Sequence, residues 1–385
     1  MRTISILGST GSIGTQALMI AALHPDMFRI AALTAHSNSK LLFEQVRTFR
    51  PQMAGLTGIS AAEADIPDDL RFCDWRFGEE ALLCAAGQVP CDDVLVSVVG
   101  MVGLPAVLAA RKAGRRVLLA NKEALVAGGK LVMACCADEP EGPVLIPVDS
   151  EHSAIYQCLK AAQGNPYDAI LLTASGGPFR NYTREQLRNV TLAQALAHPN
   201  WSMGAKITVD SASMFNKALE IIEARWLFDA RPEQIEVLIH PQSIVHSMVR
   251  FRDGAVLAQL GAPDMRVPIA YAMAYPQRIE TAAPQANFAA IGQCTFSDVD
   301  PKRFPAVGMA YEALKAGGAA ACMLNAANEE ANAGFRAGRI GFLQIGEIVA
   351  ETLQRMGDQS ADTLEQVYSA DAAARRTARE IMEKL

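Results

Sequence analysis

Two acidic side chains, Asp149 and Glu151, directly follow an apolar run at residues 144–146. The run predicts a strand, and residues 154–159 predict an amphipathic helix, so the acids lie where a strand enters a helix. Positions i and i+2 of a strand point the same way, so both carboxylates would face one point. A hard divalent cation such as Mg²⁺ or Mn²⁺ would relieve their repulsion. The alternative is a solvated Asp N-cap followed by a Glu in the first helical turn.

A second polar group lies on the helix predicted to end at residue 228. Asn216, Lys217 and Glu220 share one helical face, because residues three and four apart are neighbours. A Ser, an Asn and a Lys together can bind a phosphate dianion, and Glu220 could supply a third metal oxygen. The alternative is an ordinary surface ion pair between Lys217 and Glu220.

Two loops before that helix could also bind a ligand. A strand predicted at 170–173 leads into Ser175-Gly176-Gly177, a turn whose hydroxyl and main-chain N–H groups suit phosphate. Residues 198–204 mix proline, glycine and Trp201, which predicts a mobile flap that covers a ligand and excludes water. The alternative is a loop that simply buries its tryptophan.

The N-terminal stretch predicts a dinucleotide site. A short strand at 3–7 is followed by a G-x-x-G-x-x-G turn at 8–14 and a helix at 15–23. Such glycines let the backbone approach a pyrophosphate at a helix N-terminus. The alternative is a plain tight turn. Residues 35–40, after the second strand, contain no acid for a ribose 2′-hydroxyl but do contain Lys40, which favours NADP over NAD.

Strands and helices continue to alternate up to about residue 150, which predicts a doubly wound parallel sheet. Asn121, Lys122 and Glu123 follow the strand predicted at 116–119, at the edge where such sheets bind ligands. Lys122 could bind an anionic or hydroxylated substrate, and Glu123 a nicotinamide ribose. An Asn N-cap with a charged first turn would explain the same residues.

Composition narrows the class of protein. The 385 residues are 50% hydrophobic and 20% charged, with a net charge of −6, which is typical of a globular protein without a nucleic-acid footprint. We expect no secretory signal and no membrane span, because no apolar run is long enough. The eight cysteines form no Cys-x-x-Cys pair, so we expect free thiols in a cytoplasmic protein.

The remaining chain predicts two further parts. Residues 234–260 alternate in the manner of antiparallel strands, with a hairpin turn at 252–254 and an edge for a second subunit. Residues 304–385 are Ala-rich with helical periodicity. The expected domains are 1–148 for NADPH binding, 149–284 for catalysis and dimerisation, a linker at 285–303, and a helical domain at 304–385.

Six motifs together resemble the 1-deoxy-D-xylulose 5-phosphate reductoisomerase family. They are, in chain order, GSTGSIG at 8–14, NKEAL at 121–125, VDSEH at 148–152, SGG at 175–177, HPNWSMG at 198–204 and VDSASMFNKALE at 209–220. The resemblance covers essentially the whole chain. It implies an α/β fold with an N-terminal Rossmann-like doubly wound sheet, a central α+β catalytic domain and a C-terminal helical bundle.

The resemblance also implies ligands and residue roles. The expected NADPH-binding residues are Thr10, Gly11, Ser12, Ile13, Asn38, Asn121, Glu123 and Gly204. The expected metal ligands, for Mg²⁺, Mn²⁺ or Co²⁺, are Asp149, Glu151 and Glu220. The expected substrate-binding residues are Lys122, Ser150, Glu151, Ser175, His198, Trp201, Ser211, Asn216, Lys217 and Glu220. Lys122, Asp149, Glu151, His198 and Glu220 are the expected catalytic residues.

The implied reaction rearranges 1-deoxy-D-xylulose 5-phosphate and reduces it with NADPH to 2-C-methyl-D-erythritol 4-phosphate, an isoprenoid precursor. We expect a homodimer that acts on this small sugar phosphate. One departure is His36-Ser37, where some members carry Gly-Lys, so the residues that contact the 2′-phosphate stay open. The alternatives are another NADP-dependent dehydrogenase, such as a homoserine or semialdehyde dehydrogenase, and a non-catalytic NADP-binding regulator.

Overall fold

A computed structural model describes residues 1–137, 143–201 and 203–385. The first seven strands are β1 (Arg2–Leu7), β2 (Phe28–Ala35), β3 (Met53–Leu56), β4 (Asp74–Phe77), β5 (Asp93–Val96), β6 (Arg116–Leu119) and β7 (Leu145–Pro147). The remaining strands are β8 (Tyr167–Ala174), β9 (Ile235–Ile239), β10 (Val245–Phe251), β11 (Val256–Leu260) and β12 (Ser297–Asp298).

Helices connect these strands and dominate the C-terminal third. The first eight are α1 (Ser12–Leu23), α2 (Ser39–Phe49), α3 (Glu79–Leu83), α4 (Gly103–Lys112), α5 (Lys122–Ala134), α6 (Ser150–Ala161), α7 (Arg184–Leu187) and α8 (Leu192–Ala195). The others are α9 (Ala205–Ala212), α10 (Phe215–Leu227), α11 (Arg266–Ala274), α12 (Phe288–Ile291), α13 (Pro305–Ala316), α14 (Ala320–Arg336), α15 (Phe342–Met356) and α16 (Leu364–Met382). Short 3₁₀ turns lie at Asp68–Leu70 and Pro232–Gln234, and a π turn at Cys84–Gln88.

The chain divides into two units. Unit 1 comprises 1–124, 132–153 and 264–283, and unit 2 comprises 125–131, 154–263 and 284–385. This division follows compactness. The four-part functional division at 1–148, 149–284, 285–303 and 304–385 stays a prediction.

Unit 1 is built on a parallel sheet with the order β4-β3-β2-β1-β5-β6-β7. Every pairing in it is parallel, and the order reverses beside β1, which confirms the predicted doubly wound sheet. The strands bury continuous apolar runs such as Val94, Leu95 and Val96 of β5, because helices cover such a sheet on both faces. The carboxyl end of β1 therefore opens directly into the glycine turn.

The central strands of the sheet are also joined by charge. Asp93 of β5 is fully buried and accepts two hydrogen bonds from Arg2 and two from Arg116, at 2.6–3.0 Å. Arg116 also donates to the carbonyl oxygen of Met273 in α11 at 3.3 Å. A buried carboxylate needs such partners, so these bonds fix the amino ends of β1, β5 and β6 against α11.

Unit 2 contains a mixed sheet with the order β11-β10-β8-β9-β12. The predicted hairpin is confirmed, because β10 and β11 pair antiparallel around residues 252–254. The prediction that all of 234–260 is antiparallel is wrong: β9 pairs parallel with β8, since α9 and α10 form a crossover between them. This crossover carries the polar group at 216–220.

Four long helices, α13 to α16, form the C-terminal part of unit 2 and confirm the predicted helical bundle. Their apolar faces join the core under the mixed sheet, and Phe342 of α15 packs edge-on against Phe179 at 5.0 Å. Among the residues described, no helix is both long and apolar enough to cross a bilayer.

Candidate active site

The glycine turn after β1 can be built only from glycine at two positions. Gly8 has a φ of +84°, and a Cβ there would lie 2.8 Å from the carbonyl oxygen of Ser97. A Cβ on Gly14 would lie 2.4 Å from the carbonyl oxygen of Gly8. The helix that follows begins at Ser12 after Gly11, which has no side chain to cap it. The turn therefore presents its main chain, and Thr10, Gly11, Ser12 and Ile13 are at least partly exposed there.

The end of β2 carries polar side chains and no acid. His36, Ser37 and Asn38 are exposed. His36 Nδ1 lies 3.0 Å from the Thr57 hydroxyl, and Asn38 caps α2 by accepting from the Leu41 N–H at 3.2 Å. The side chain of Asn38 therefore has a structural role, and its contact with a cofactor stays a prediction.

Asn121 and Glu123 form a buried pair at the end of β6. Asn121 Oδ1 accepts from the Ala124 N–H at 2.9 Å, so the predicted N-cap is present. Its Nδ2 donates to Glu123 at 2.9 Å and to the carbonyl oxygens of Val98 and Gly100, each at 3.0 Å. These bonds fix Glu123 at the carboxyl edge of the sheet, and its contact with a ribose stays a prediction.

Asp149 is surrounded by positive charge and hydrogen-bond donors. Lys122 Nζ donates to its Oδ2 at 2.5 Å, and His152 Nδ1 lies 3.0 Å from its Oδ1. Burial alone would raise the pKa of Asp149, but Lys122 and His152 together hold that pKa well below its usual range. The carboxylate is therefore ionised at neutral pH. His152 was not among the predicted site residues, although its place three residues after Asp149, in the first turn of α6, was a signal.

Glu151 lies beside Asp149 for a reason other than the one predicted. The strand ends at Pro147 and α6 begins at Ser150, so strand alternation does not apply to these residues, and the expected reason was wrong. Instead Asp149 caps the helix, accepting from the Glu151 N–H at 3.2 Å. A carboxylate oxygen of each still lies within 4.8 Å of the other. Ser150 donates to Glu151 at 2.5 Å, so the N-cap and the acid pair are both present.

In unit 2, Ser175 meets His198. His198 Nδ1 accepts the N–H groups of Asn200 at 3.2 Å and Trp201 at 3.0 Å. The ring proton is therefore on Nε2, which donates to Ser175 Oγ at 3.0 Å. Ser175 Oγ also accepts from the Gly177 N–H at 3.1 Å, so neither of these two bonds uses the hydroxyl proton.

Asn216, Lys217 and Glu220 lie on one face of α10, as predicted. Glu220 is fully buried and Lys217 is 3% exposed, so the alternative of a surface ion pair is wrong. Asn216 Nδ2 donates to Glu220 Oε1 at 2.5 Å, and Lys217 donates to Oε2. The helix follows Met214, whose φ of +65° turns the chain sharply after α9 and Ser211. Ser211 is half-buried near the end of α9.

The predicted flap at 198–204 is described except for Ser202. Trp201 is half-buried, with its ring centroid 6.1 Å from that of His246. Gly204 is the residue before α9. Asn200 anchors the stretch, because its Nδ2 donates to the Pro241 carbonyl at 2.7 Å and to Ser243 Oγ at 2.8 Å. Asn200 was not among the predicted site residues, and its position between Pro199 and Trp201 was its only signal in the sequence.

Known proteins resemble this chain along its whole length. The family profile of 1-deoxy-D-xylulose 5-phosphate reductoisomerase matches residues 4–129, and two profiles of the C-terminal domains of that enzyme match 145–228 and 260–377. The reductoisomerase of Ralstonia nicotianae is 50% identical over 384 residues, covering 98% of this chain and 97% of the relative. That of Phocaeicola vulgatus is 49% identical, with 98% of each chain covered.

The chain belongs to the 1-deoxy-D-xylulose 5-phosphate reductoisomerase family.

Solved structures of this reductoisomerase family share the fold. The Zymomonas mobilis enzyme in complex with NADPH has a TM-score of 0.91 and 40% identity, with all of both chains covered. A reductoisomerase in complex with NADPH, fosmidomycin and magnesium also has a TM-score of 0.91, at 37% identity, covering 100% of this chain and 98% of that one. Family membership confirms the predicted reductoisomerase activity. It favours that activity over a homoserine or semialdehyde dehydrogenase and over a non-catalytic regulator.

Proposed function

We propose that the residues described above serve the conversion of 1-deoxy-D-xylulose 5-phosphate to 2-C-methyl-D-erythritol 4-phosphate, with NADPH and a divalent metal as cofactors. The balanced reaction consumes one NADPH and one proton and releases NADP⁺. The observation that carries the residue assignment is the ionised Asp149, held by Lys122 and His152 beside Glu151. Two adjacent carboxylates offer the hard oxygen ligands that a divalent metal prefers.

Most of the proposed NADPH contacts belong to unit 1. The exposed main chain of the glycine turn suits the pyrophosphate. The turn leads into the N-terminus of α1, and main-chain N–H groups at a helix N-terminus favour an anion. Glu123, fixed by Asn121, is placed to bind the nicotinamide ribose. The end of β2 takes the 2′-phosphate: His36, Ser37 and Lys40 are exposed there and no carboxylate opposes them. Gly204 is proposed as a further cofactor contact.

The donor set fits a divalent metal such as Mg²⁺, Mn²⁺ or Co²⁺. Asp149 and Glu151 offer hard oxygen ligands, and we propose Glu220 as the third. Glu220 accepts hydrogen bonds from Asn216 and Lys217, which fix the position of its carboxylate. When bound, the metal would supply Lewis-acid polarisation of a substrate oxygen. The magnesium present in solved relatives supports this assignment.

The substrate phosphate is assigned to four donors of unit 2. They are the side chains of Ser175, Ser211, Asn216 and Lys217. The Ser175 hydroxyl accepts from His198 and Gly177, so its proton is free to be donated to a phosphate oxygen. Lys217 adds positive charge from a buried position. Fosmidomycin bound by relatives supports a small anionic ligand at such a site.

The remaining residues orient the sugar and exclude water. Lys122 and Ser150 lie beside the two acids and can donate to substrate hydroxyl or carbonyl oxygens. His198 places Trp201 through the bond to its N–H, so the tryptophan can close over the bound sugar. Exclusion of water protects a reactive aldehyde between rearrangement and reduction.

We also propose that the protein forms a homodimer and is located in the cytoplasm. β11 is an edge strand of the mixed sheet, and Val256, Leu257 and Leu260 on it are 40–45% exposed. An apolar edge of this kind suits pairing with a second copy of the chain. Light scattering of the purified protein tests this part: a mass of one chain at micromolar concentration would contradict it.

The decisive experiment measures NADPH oxidation at 340 nm with 1-deoxy-D-xylulose 5-phosphate. Wild type should turn over with Mg²⁺ and stop when a chelator is added, then recover with excess metal. A Lys122→Gln variant should lose activity while still binding NADPH. Full activity of that variant, or activity unaffected by chelator, would contradict the assignment.

A further inference from the structure

Asp210 is a buried carboxylate that no step of the reaction uses. It lies on α9, next to Ser211, and only 1% of it is exposed. A buried charge is unfavourable unless it is paired and hydrogen-bonded, so the partners of Asp210 indicate its role. Two of those partners come from a helix more than a hundred residues later in the chain, and a third comes from α9 itself.

Two asparagines of α14 hold Asp210. Its Oδ1 accepts from Asn328 Nδ2 at 2.9 Å and from Asn332 Nδ2 at 2.8 Å. The two asparagines are four residues apart, so they lie one above the other on the same helical face. Both are fully buried. Asn332 Nδ2 also donates to the Lys206 carbonyl at 3.0 Å, so α14 is hydrogen-bonded to α9 at two positions one turn apart.

Lys206 completes the arrangement from α9 itself. Its Nζ lies 3.1 Å from Asp210 Oδ2, so each carboxylate oxygen has a different set of donors. Lys206 lies two residues after Gly204, where the flap ends. These bonds therefore connect α9, which follows the flap and carries Ser211, to helix α14 of the C-terminal part.

A purely apolar contact between α9 and α14 would pack at least as well. Replacing buried ionic and polar groups by apolar residues is often neutral or stabilising. What such groups do provide is a single allowed register, because a one-residue slip would leave a charge unpaired. Register matters at this point, since Ser211 and the turn into α10 follow directly.

We propose that Asp210 is a positioning residue. Its hydrogen bonds from Asn328 and Asn332 fix the register of α9 against α14 and thereby the position of the Ser211 hydroxyl in the phosphate site. The proposal rests on the assigned role of Ser211. It gives the C-terminal helices a part in binding the sugar phosphate, although none of their residues is expected to touch it.

The test compares full-length variants by steady-state kinetics and by competition with inorganic phosphate. Asp210→Asn keeps the shape but sets an amide against either Lys206 or the two asparagines. We expect its KM for the sugar phosphate and its Ki for inorganic phosphate to rise about tenfold, the loss of one charge-assisted bond. We expect kcat to change less than about threefold, because uniform binding is what is lost. NADPH affinity should stay constant.

Asp371→Asn is the matched control. Asp371 is also a buried acid of unit 2, and its bonds to Arg375, at 2.8 and 3.0 Å, lie within α16. It should lower the melting temperature without changing KM. If Asp210→Asn lowers the melting temperature and leaves KM and Ki unchanged, Asp210 is only structural and the proposal fails.

Two further variants make the result unambiguous. Asn328→Ala removes one bond and leaves those from Asn332 and Lys206, so it should show the same KM increase in smaller measure, even if Asp210→Asn does not fold. Ser211→Ala tests the assignment of Ser211 to the phosphate site. An unchanged Ki for phosphate in this variant would overturn that assignment. A raised Ki in Ser211→Ala with normal values in both network variants would overturn the positioning role alone.

Discussion

The imidazole of His198 joins Ser175 to the flap: its Nε2 donates to Ser175 Oγ at 3.0 Å, while its Nδ1 accepts from the N–H of Trp201 at 3.0 Å. One neutral ring thus orients a proposed phosphate ligand and the tryptophan proposed to cover the substrate. A neutral imidazole can do this because one ring nitrogen accepts a hydrogen bond while the other donates.

Removal of this ring should weaken substrate binding. For His198→Ala we expect KM for the sugar phosphate to rise about tenfold or more, because two positioned contacts are lost. NADPH affinity should not change. Steady-state kinetics and NADPH fluorescence titration measure the two quantities. His24→Ala, which removes a histidine of unit 1 bonded to the Glu280 carbonyl, is the control. A KM equal to that of wild type would contradict a role in binding.

Loss of a carboxylate at position 220 should damage chemistry more than cofactor binding. For Glu220→Gln we expect kcat to fall about a hundredfold or more, roughly 3 kcal/mol of barrier. Activity should also require more Mg²⁺, because one anionic ligand is gone. Glu223→Gln, a buried acid one turn further along α10, should stay within a few-fold of wild type. Normal turnover of Glu220→Gln at the same Mg²⁺ would show that Glu220 only pairs with Lys217.

The cofactor preference should follow from the end of β2. No carboxylate lies at residues 35–40, so we expect a higher kcat/KM with NADPH than with NADH. Ser37→Asp places a negative charge beside the proposed 2′-phosphate site and should narrow that preference by repulsion. Equal kcat/KM values for the two cofactors in wild type would refute the interpretation.

The flap should be protected by ligand. In the free protein, limited proteolysis should cut within 198–204, which lies between α8 and α9 in the chain. Addition of substrate analogue with NADPH should slow the cut, because Trp201 would close over the ligand. Mass spectrometry locates the site. Identical cleavage rates with and without ligand would argue against a closing lid.

Thiol reactivity should separate the cysteines by exposure. Burial raises the pKa of Cys322 to about 12 and that of Cys158 to about 11, so both stay protonated at pH 8. Cys135 is exposed. We expect Cys135 to react first with a disulfide reagent in the native protein, and Cys135→Ser to remove the fast phase. Rapid labelling of Cys322 before unfolding would contradict its burial.

The sequence alone determined the local features of this protein. The glycine turn, the alternation of strands and helices, and the shared face of Asn216 and Glu220 each depend on residues close together in the chain. Local geometry dictates them: a Cβ at Gly8 or Gly14 does not fit, and a spacing of four residues always shares a helical face. Six local motifs together were enough to predict the family.

The tertiary structure decided what depends on distant partners. Burial of Lys217 and Glu220, which removed the surface-pair alternative, comes from packing against other elements. The direction of β9 depends on which strand it meets, and its own pattern could not show that. Asp149 lies beside Glu151 because it caps a helix, and its charge is set by Lys122, 27 residues earlier.

Asp210 is the clearest example of a residue whose role depends on distant partners. Two of its partners, Asn328 and Asn332, lie 118 and 122 positions further along the chain. Its third partner, Lys206, lies four residues earlier on the same helix, a spacing that by itself predicts only an ordinary helical ion pair. Only folding brings α14 against α9, because the burial of apolar faces elsewhere on the two helices determines which polar groups meet.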